Sequence, residues 1–373
     1  MSAEAIVVAG ALAAKPGNGG EAWVRLSWVL GLRRLGFDAW LLEEADADTA
    51  AAGRAFFEET VERHGLGSRA VLLAPGQAVR PVGRAELEDL AADAAALVNV
   101  SGNLRDDDLL ARFRRRAYVD LDPGFTQIWH SQGQLGNQLT LHDTHFTVGL
   151  NLGDPNCSLP VDGIRWAPLP PPVLLDEWSP PPDPRFDRFT TVATWRNVLG
   201  RLEADGVAYT LKHHQLRRFA GLPERARLPF EIALDIHPDE ADEADRLRES
   251  GWAVVDPAAV SADSHAFRDY VRSSGAEFSV TQGVYAEART GWVSDRTAHY
   301  LACGRPAVVQ ETGVPDRFRA EAGMLTFSGL DEAVTATTAV ATEYERHSAA
   351  ARAYAERTFD SDVVLTRMLE ALL

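Results

Sequence analysis

Several clusters in this 373-residue sequence bring together groups that could do chemistry. Ser294-Asp295-Arg296-Thr297 follows a predicted strand and a loop, and opens an apolar segment that Gly304 and Pro306 close. Serine is a good N-cap and Gly304 a left-handed stop, so residues 295–303 are expected to form about 2.5 helical turns. A helix start in that position carries free N–H groups and roughly half a positive charge, which suits a diphosphate. Ser294, Arg296 and Thr297 would add donors. Asp295 would repel phosphate, which leaves it either supporting the helix start or meeting a ligand hydroxyl.

The other clusters are acid-base groups and glycines. Asp120 and Asp122 close a predicted strand on one side of it, two residues apart. A carboxylate at a strand end, Asp122 above all, can reach a hydroxyl proton as a general base. His142-Asp143-Thr144-His145 competes for that role, because imidazole titrates near neutrality and a neighbouring carboxylate could orient His145. Lys212, His213 and His214 form a basic cluster. Gly17, Gly19 and Gly20 permit close approach of a ligand, although a turn with positive φ would need them equally.

The surrounding pattern shows what must position these groups. Residues 5–11 read as a buried strand rather than a leader, residues 21–35 as a helix with Trp23, Leu26, Val29 and Leu30 on one face, and residues 39–42 as a second strand. Gly36 stops that helix. Further strands are expected at 70–73, 96–100, 117–121 and 146–150, with helices at 53–64 and 84–95. The alternation implies a parallel sheet covered on both faces. A proline-rich stretch around residues 166–184 then excludes helix and central strand. A second strand series follows at 189–193, 231–234, 253–255, 277–281 and 307–310. Residues 330–373 read as helical with a break at 359–362.

Composition sets outer bounds. Hydrophobic residues at 46% and charged residues at 24% match a soluble globular protein, and the length suits two domains. A net charge of -17 opposes binding to nucleic acid, though local donors can still hold a small anion. Cys157 and Cys303 imply neither disulfide nor zinc, and a reducing cytoplasm is the expected compartment. No segment reaches the ~18 apolar residues of a membrane span.

Residues 278–313, including the Ala302-Cys303-Gly304-Arg305-Pro306 turn, resemble the donor-binding region of bacterial, nucleotide-sugar-dependent GT-B glycosyltransferases. The resemblance covers most of residues 189–365, and residues 1–165 more weakly. It implies an α/β GT-B fold, two Rossmann-like domains with a deep interdomain cleft. Residues 1–172 would bind the acceptor, residues 173–185 would be a proline-rich linker, residues 186–350 would hold the nucleotide sugar, and residues 351–373 would cross back as a helix. It further implies metal-independent, cofactor-free transfer of a hexosyl or related group from a nucleotide diphosphate sugar to a hydroxyl of a small molecule or glycan. Gly19, Trp195, Arg196, Ser294, Asp295, Arg296, Thr297, Gln310, Glu311 and Thr312 would bind the donor. Asp122 or His145 would be the base, and Lys212 would neutralise the leaving diphosphate. One departure is plain. The family's retaining members place two Glu residues eight apart where this chain has Gly291 and His299, so neither ribose recognition by Glu nor the stereochemical class carries over.

Other readings stay open at this level. Asp120-x-Asp122 also looks like the metal-binding motif of GT-A glycosyltransferases. Gly17-x-Gly19-x-x-Ala22, with Glu43 further on, loosely satisfies a dinucleotide fingerprint. A sugar epimerase shares the two-domain architecture, as would a catalytically silent partner protein.

Overall fold

Strand β1 (Ala5–Ala9) contains only Ala, Ile and Val because it runs through the middle of a sheet covered on both faces. The computed structural model describes residues 3–75, 81–182, 184–196, 199–204 and 206–373. Around β1 lie β2 (Asp38–Glu44), β3 (Ala70–Leu73), β4 (Ala96–Val100), β5 (Arg116–Asp120), β6 (Thr144–Thr147) and β7 (Trp166–Pro168). Their order is β3-β2-β1-β4-β5-β6-β7, and every pairing is parallel. Proline-bearing β7 is the edge strand, where a missing donor costs least.

The second half repeats the plan. It contains β8 (Phe189–Thr194), a two-residue hairpin of β9 (Glu203–Ala204) and β10 (Val207–Ala208), then β11 (Phe230–Asp235), β12 (Trp252–Val255), β13 (Ala276–Ser279), β14 (Ala307–Gln310) and β15 (Met324–Phe327). The main sheet is ordered β12-β11-β8-β13-β14-β15, again all parallel. Counted within each half, both sheets follow the doubly wound order 3-2-1-4-5-6. Such sheets bind ligands outside the strand carboxyl ends where the order reverses, here beside β1/β4 and β8/β13.

The strands expected at 146–150 and 277–281 end earlier, at Thr147 and Ser279, and β7, β15 and the hairpin are additions. The C-terminal region divides into helices Leu330–Thr342, Tyr344–Thr358 and Ser361–Leu372. The last packs on the helix Gly19–Arg34, where a Cβ at Gly31 would come within 2.5 Å of Leu365. Val173 exchanges backbone hydrogen bonds with Phe359 and Ser361. Asp183, inside the expected linker, lies outside the described residues.

Gly19–Arg34 explains why its sequence carries more than one apolar face. Trp23, Leu26, Val29 and Leu32 are fully buried, but so are Trp28 and nearly all of Arg25, so the helix is covered on more than one side. The Trp23 indole donates to the Ser264 carbonyl at 2.6 Å, and Arg63 pairs with Asp263 at 2.9 Å. Gly19 itself abuts backbone, since a Cβ there would lie 1.8 Å from the Asp263 carbonyl oxygen. That corrects the expectation that Gly19 meets the donor: the close approach it permits is between the two halves. Gly19→Ala is therefore expected to cost about 1–3 kcal/mol by overpacking. A lowered Tm with an enlarged scattering radius would show the seam being forced open.

Candidate functional site

The loop after β5 is brought against the second half by a glycine. Gly124 has φ +109, and a Cβ there would come within 2.5 Å of Val284. Val284 belongs to the short helix Gly283–Glu287, which follows β13 at the switch point of the second sheet. This contact sets Tyr285 opposite Asp122, whose Oδ1 accepts the phenol proton at 3.0 Å. Asp122 stays partly open to solvent. Burial, then the Asp120 and Glu21 carboxylates, push its pKa up to about 6 against the Tyr285 hydrogen bond.

Two further carboxyls complete the patch, and a lysine lies near Arg296. Glu21, in the first turn of Gly19–Arg34, is ion-paired with Arg25; burial opposes its ionisation, but Arg25 and Lys15 outweigh that and hold its carboxyl below the usual value. Asp295 is also raised to about 6, first by burial and then by Glu21, with Arg296 and Arg25 opposing. Lys212, at the start of the helix Lys212–Arg218, is pushed down to about 7 by burial and by Arg296. Two carboxyls that titrate near neutrality, Asp122 and Asp295, thus share one interdomain patch around Glu21, an arrangement associated with acid-base function. Glu21, Arg25 and Tyr285 were missed in the sequence. Glu21 follows a glycine-rich loop, but nothing local marks Tyr285.

The structure brings Asp122 and Asp295 together around Glu21, places Lys212 near Arg296, and assigns most other expected site residues to the framework. Trp195 is 1% exposed and packs in the core of the second half. Arg196 is a surface residue paired through two 2.7 Å bonds with Glu240. The Ser294 hydroxyl accepts the Arg296 N–H at 3.2 Å, which occupies it as a helix cap, and Thr297 is 1% exposed. The Arg296 guanidinium, expected to add a phosphate donor, turns inward to the Glu277 carboxylate (2.6 Å), the Val192 carbonyl (2.7 Å) and the Ser279 hydroxyl (2.8 Å). Gln310 bridges the Thr281 N–H and the Gln215 side chain, and Thr312 donates to the Trp292 carbonyl. Glu311 accepts the Gly313 N–H at 2.6 Å.

His145 is corrected as a base. Its Nε2 is bonded to the Leu139 carbonyl at 2.7 Å and its ring packs on Trp166, while Asp143 pairs with Arg116 instead of orienting the imidazole. Burial lowers its pKa. Asp120 is corrected as a metal ligand of the GT-A kind. It is fully buried, and its oxygens accept from the Asp122 N–H, Thr126, Gln127 and Thr147. Among the described residues, no group of three His, Cys, Asp or Glu side chains could hold a metal ion.

The dinucleotide fingerprint fails for a specific reason. The backbone N–H groups of Leu12, Ala13 and Ala14, just after β1, all point at the Glu43 carboxylate at 2.6–2.8 Å. The acidic residue of that fingerprint is thus held by the chain's own backbone and is not free for a ribose hydroxyl. Glu43→Ala is expected to lower stability by about 1–3 kcal/mol by leaving three donors without a partner, with sulfate restoring part of the loss. Urea unfolding with and without sulfate measures both effects.

No protein-family profile matches this chain, and no curated protein matches it either. Solved structures do match. HepE from Anabaena, in complex with UDP, aligns over 99% of each chain with TM-score 0.60 and 11% identity. AviGT4, a glycosyltransferase involved in avilamycin A biosynthesis, aligns over 98% of this chain and 96% of its own, with TM-score 0.55 and 14% identity. The chain has the GT-B fold. A putative UDP-N-acetylglucosamine 2-epimerase from Listeria monocytogenes aligns with TM-score 0.51 and 14% identity over 99% and 95% of the two chains. The GT-B fold thus serves more than one chemistry, and the site has to decide between them. In this GT-B chain, among the described residues, no helix is long and apolar enough to cross a membrane.

Proposed function

We propose that this protein transfers a glycosyl group, hexosyl or closely related, from a nucleoside diphosphate sugar to a hydroxyl of a small-molecule or glycan acceptor. The observation that carries this reading is Asp122, held near pKa 6 across the cleft from Tyr285, with Asp295 in the same patch. The HepE complex with UDP and the glycosyltransferase AviGT4, both similar in fold over nearly their full lengths, support the donor class. Asp122 accepts the acceptor's hydroxyl proton as that oxygen bonds to the anomeric carbon. The bond from that carbon to the diphosphate oxygen breaks, and its electron pair leaves with the nucleoside diphosphate. The Lys212 ammonium meets the developing charge. Asp295, partly protonated near neutrality, is suited to a sugar hydroxyl.

The transfer is proposed to need no metal or other cofactor, since Asp120, half of the candidate metal pair, already satisfies four donors. Free thiols at Cys157 and Cys303 fit a proposed cytoplasmic setting, and the net charge of -17 favours small ligands over nucleic acid. Donor consumption assayed with UDP-sugars and a panel of acceptors tests the reading. Release of UDP together with glycosylated acceptor, unaffected by a strong chelator, is the expected result. Conversion of the free nucleotide sugar to an epimer without any acceptor would favour the epimerase instead.

The pH profile gives a further test. A base must be ionised, so kcat/KM should rise as pH passes about 6, where Asp122 titrates. It should fall above about 7 as Lys212 loses its proton. A bell with those limbs is expected, and a flat profile from pH 5 to 8 would remove both groups from the mechanism.

A further inference from the structure

A cavity of about 590 Å³ lies at one end of the interdomain region, outside the charged patch. One wall is the helix Phe125–Ser131 and the turn after it, contributing Trp129, Gln132 and Gln134; the other is the β9–β10 hairpin with the residues before it, contributing Arg201 and Glu203. The Gln132 amide donates to the Glu203 carbonyl at 2.8 Å, so the two walls come from different halves and are tied together. Its size falls within the roughly 300–1,000 Å³ of small-ligand sites.

We infer that this cavity seats a neutral saccharide, the part of the acceptor that lies beyond the reacting ring. This rests on the glycosyl-transfer reading above. The lining chemistry argues for the ligand class. Arg201 and Glu203 stand 3.8 Å apart as a pair of opposite charge, unlike the carboxyl-rich patch around Asp122. Two carboxamides, a guanidinium and a carboxylate provide donors and acceptors together, which matches sugar hydroxyls that both give and accept protons. Trp129 adds a flat apolar ring for the C–H face of a pyranose.

The cavity is also placed to continue from the reacting centre. Trp129 packs edge-on against Phe125 (5.5 Å between rings), and Phe125 packs against Tyr285 (6.4 Å), the partner of Asp122. Trp129 lies one helical turn, about 6 Å, beyond Phe125. An acceptor that presents a hydroxyl to Asp122 and rests a ring on Trp129 must be longer than one sugar.

Calorimetric titration of the full-length protein with maltose, cellobiose and maltotriose, in the absence of donor, tests the seat. Millimolar or tighter binding of at least one is expected. Trp129→Ala and Arg201→Ala should each weaken it at least tenfold, and the exposed Arg201→Ala should leave Tm unchanged, separating ligand loss from misfolding. No binding by any of the three, equal affinity in both variants, or glucose 1-phosphate binding more tightly than maltose would overturn the inference. A separate titration with UDP, TDP, GDP, ADP and CDP distinguishes its failure from that of the proposed function. Saccharide binding without binding of any of these nucleotides leaves the seat standing and sinks the transferase reading, whereas nucleotide binding without saccharide binding does the reverse.

Discussion

Asp122→Asn is expected to slow glycosyl transfer by about 10²–10⁴-fold, the usual worth of a positioned general base, while raising Tm at neutral pH. The stability gain follows from the sign of the shift. The carboxyl titrates at about 6 in the folded protein, above its ordinary value of 3.8. The folded state therefore binds this proton more tightly than the unfolded chain. The stability it contributes is present in full below about pH 4 and is lost as pH rises through about 6. An amide carries no such loss and can still accept from the Tyr285 hydroxyl. Between pH 4 and 8 the Tm of the wild type should fall more steeply than that of the variant. Asp295 is shifted the same way, so combining Asp122→Asn with Asp295→Asn should flatten the curve further. Undiminished turnover would remove Asp122 as the base, and a variant less stable than the wild type at pH 7 would contradict the burial of its charge.

The largest loss of stability is expected at Arg296. Its guanidinium joins its own helix to two strands of the second half, through the carboxylate of Glu277 and the hydroxyl of Ser279 on β13 and the carbonyl of Val192 on β8. Glu277 is wholly buried. Arg296→Leu would strand that carboxylate, and breaking such a pair costs about 3–5 kcal/mol. Arg296→Lys is also expected to destabilise, because an ammonium lacks the planar fork that reaches three acceptors. Pairing Arg296→Leu with Glu277→Leu should recover most of the loss, since removing both partners leaves no buried charge. Urea unfolding followed by the signal of the second half measures all three. If Arg296→Leu were near wild type in stability but failed to bind UDP, the side chain would instead be a donor ligand.

The two-fold alternation of strand and helix was readable because each half writes it locally, in short apolar runs bounded by Gly, Pro or capping residues. The strands Trp166–Pro168 and Met324–Phe327 were not: the first is three residues long inside a proline-rich stretch, and the second, MLTF, is four residues long and has a single β-branched residue. The site divides along the same line. Asp122 could be nominated from a strand end followed by Pro123 and Gly124. Tyr285 could not, because what makes it matter is a residue 163 positions away. Ser294 to Thr297 reads correctly as a capped helix start, yet local spacing says nothing of whether Arg296 faces a ligand or Glu277. Gly19 marks a close approach in the sequence without saying to what, and the answer lies at Asp263.

The buried carboxylate of Glu43 has a consequence for selectivity. It is an internal competitor held by the chain itself, and a tethered group acts at an effective concentration that free ligands in solution struggle to match. Three backbone donors fix it in place. A nicotinamide dinucleotide arriving at β1 would have to evict that competitor before making its first hydrogen bond. Of two halves built on one strand order, the first has thus committed the backbone donors after its opening strand to its own side chain.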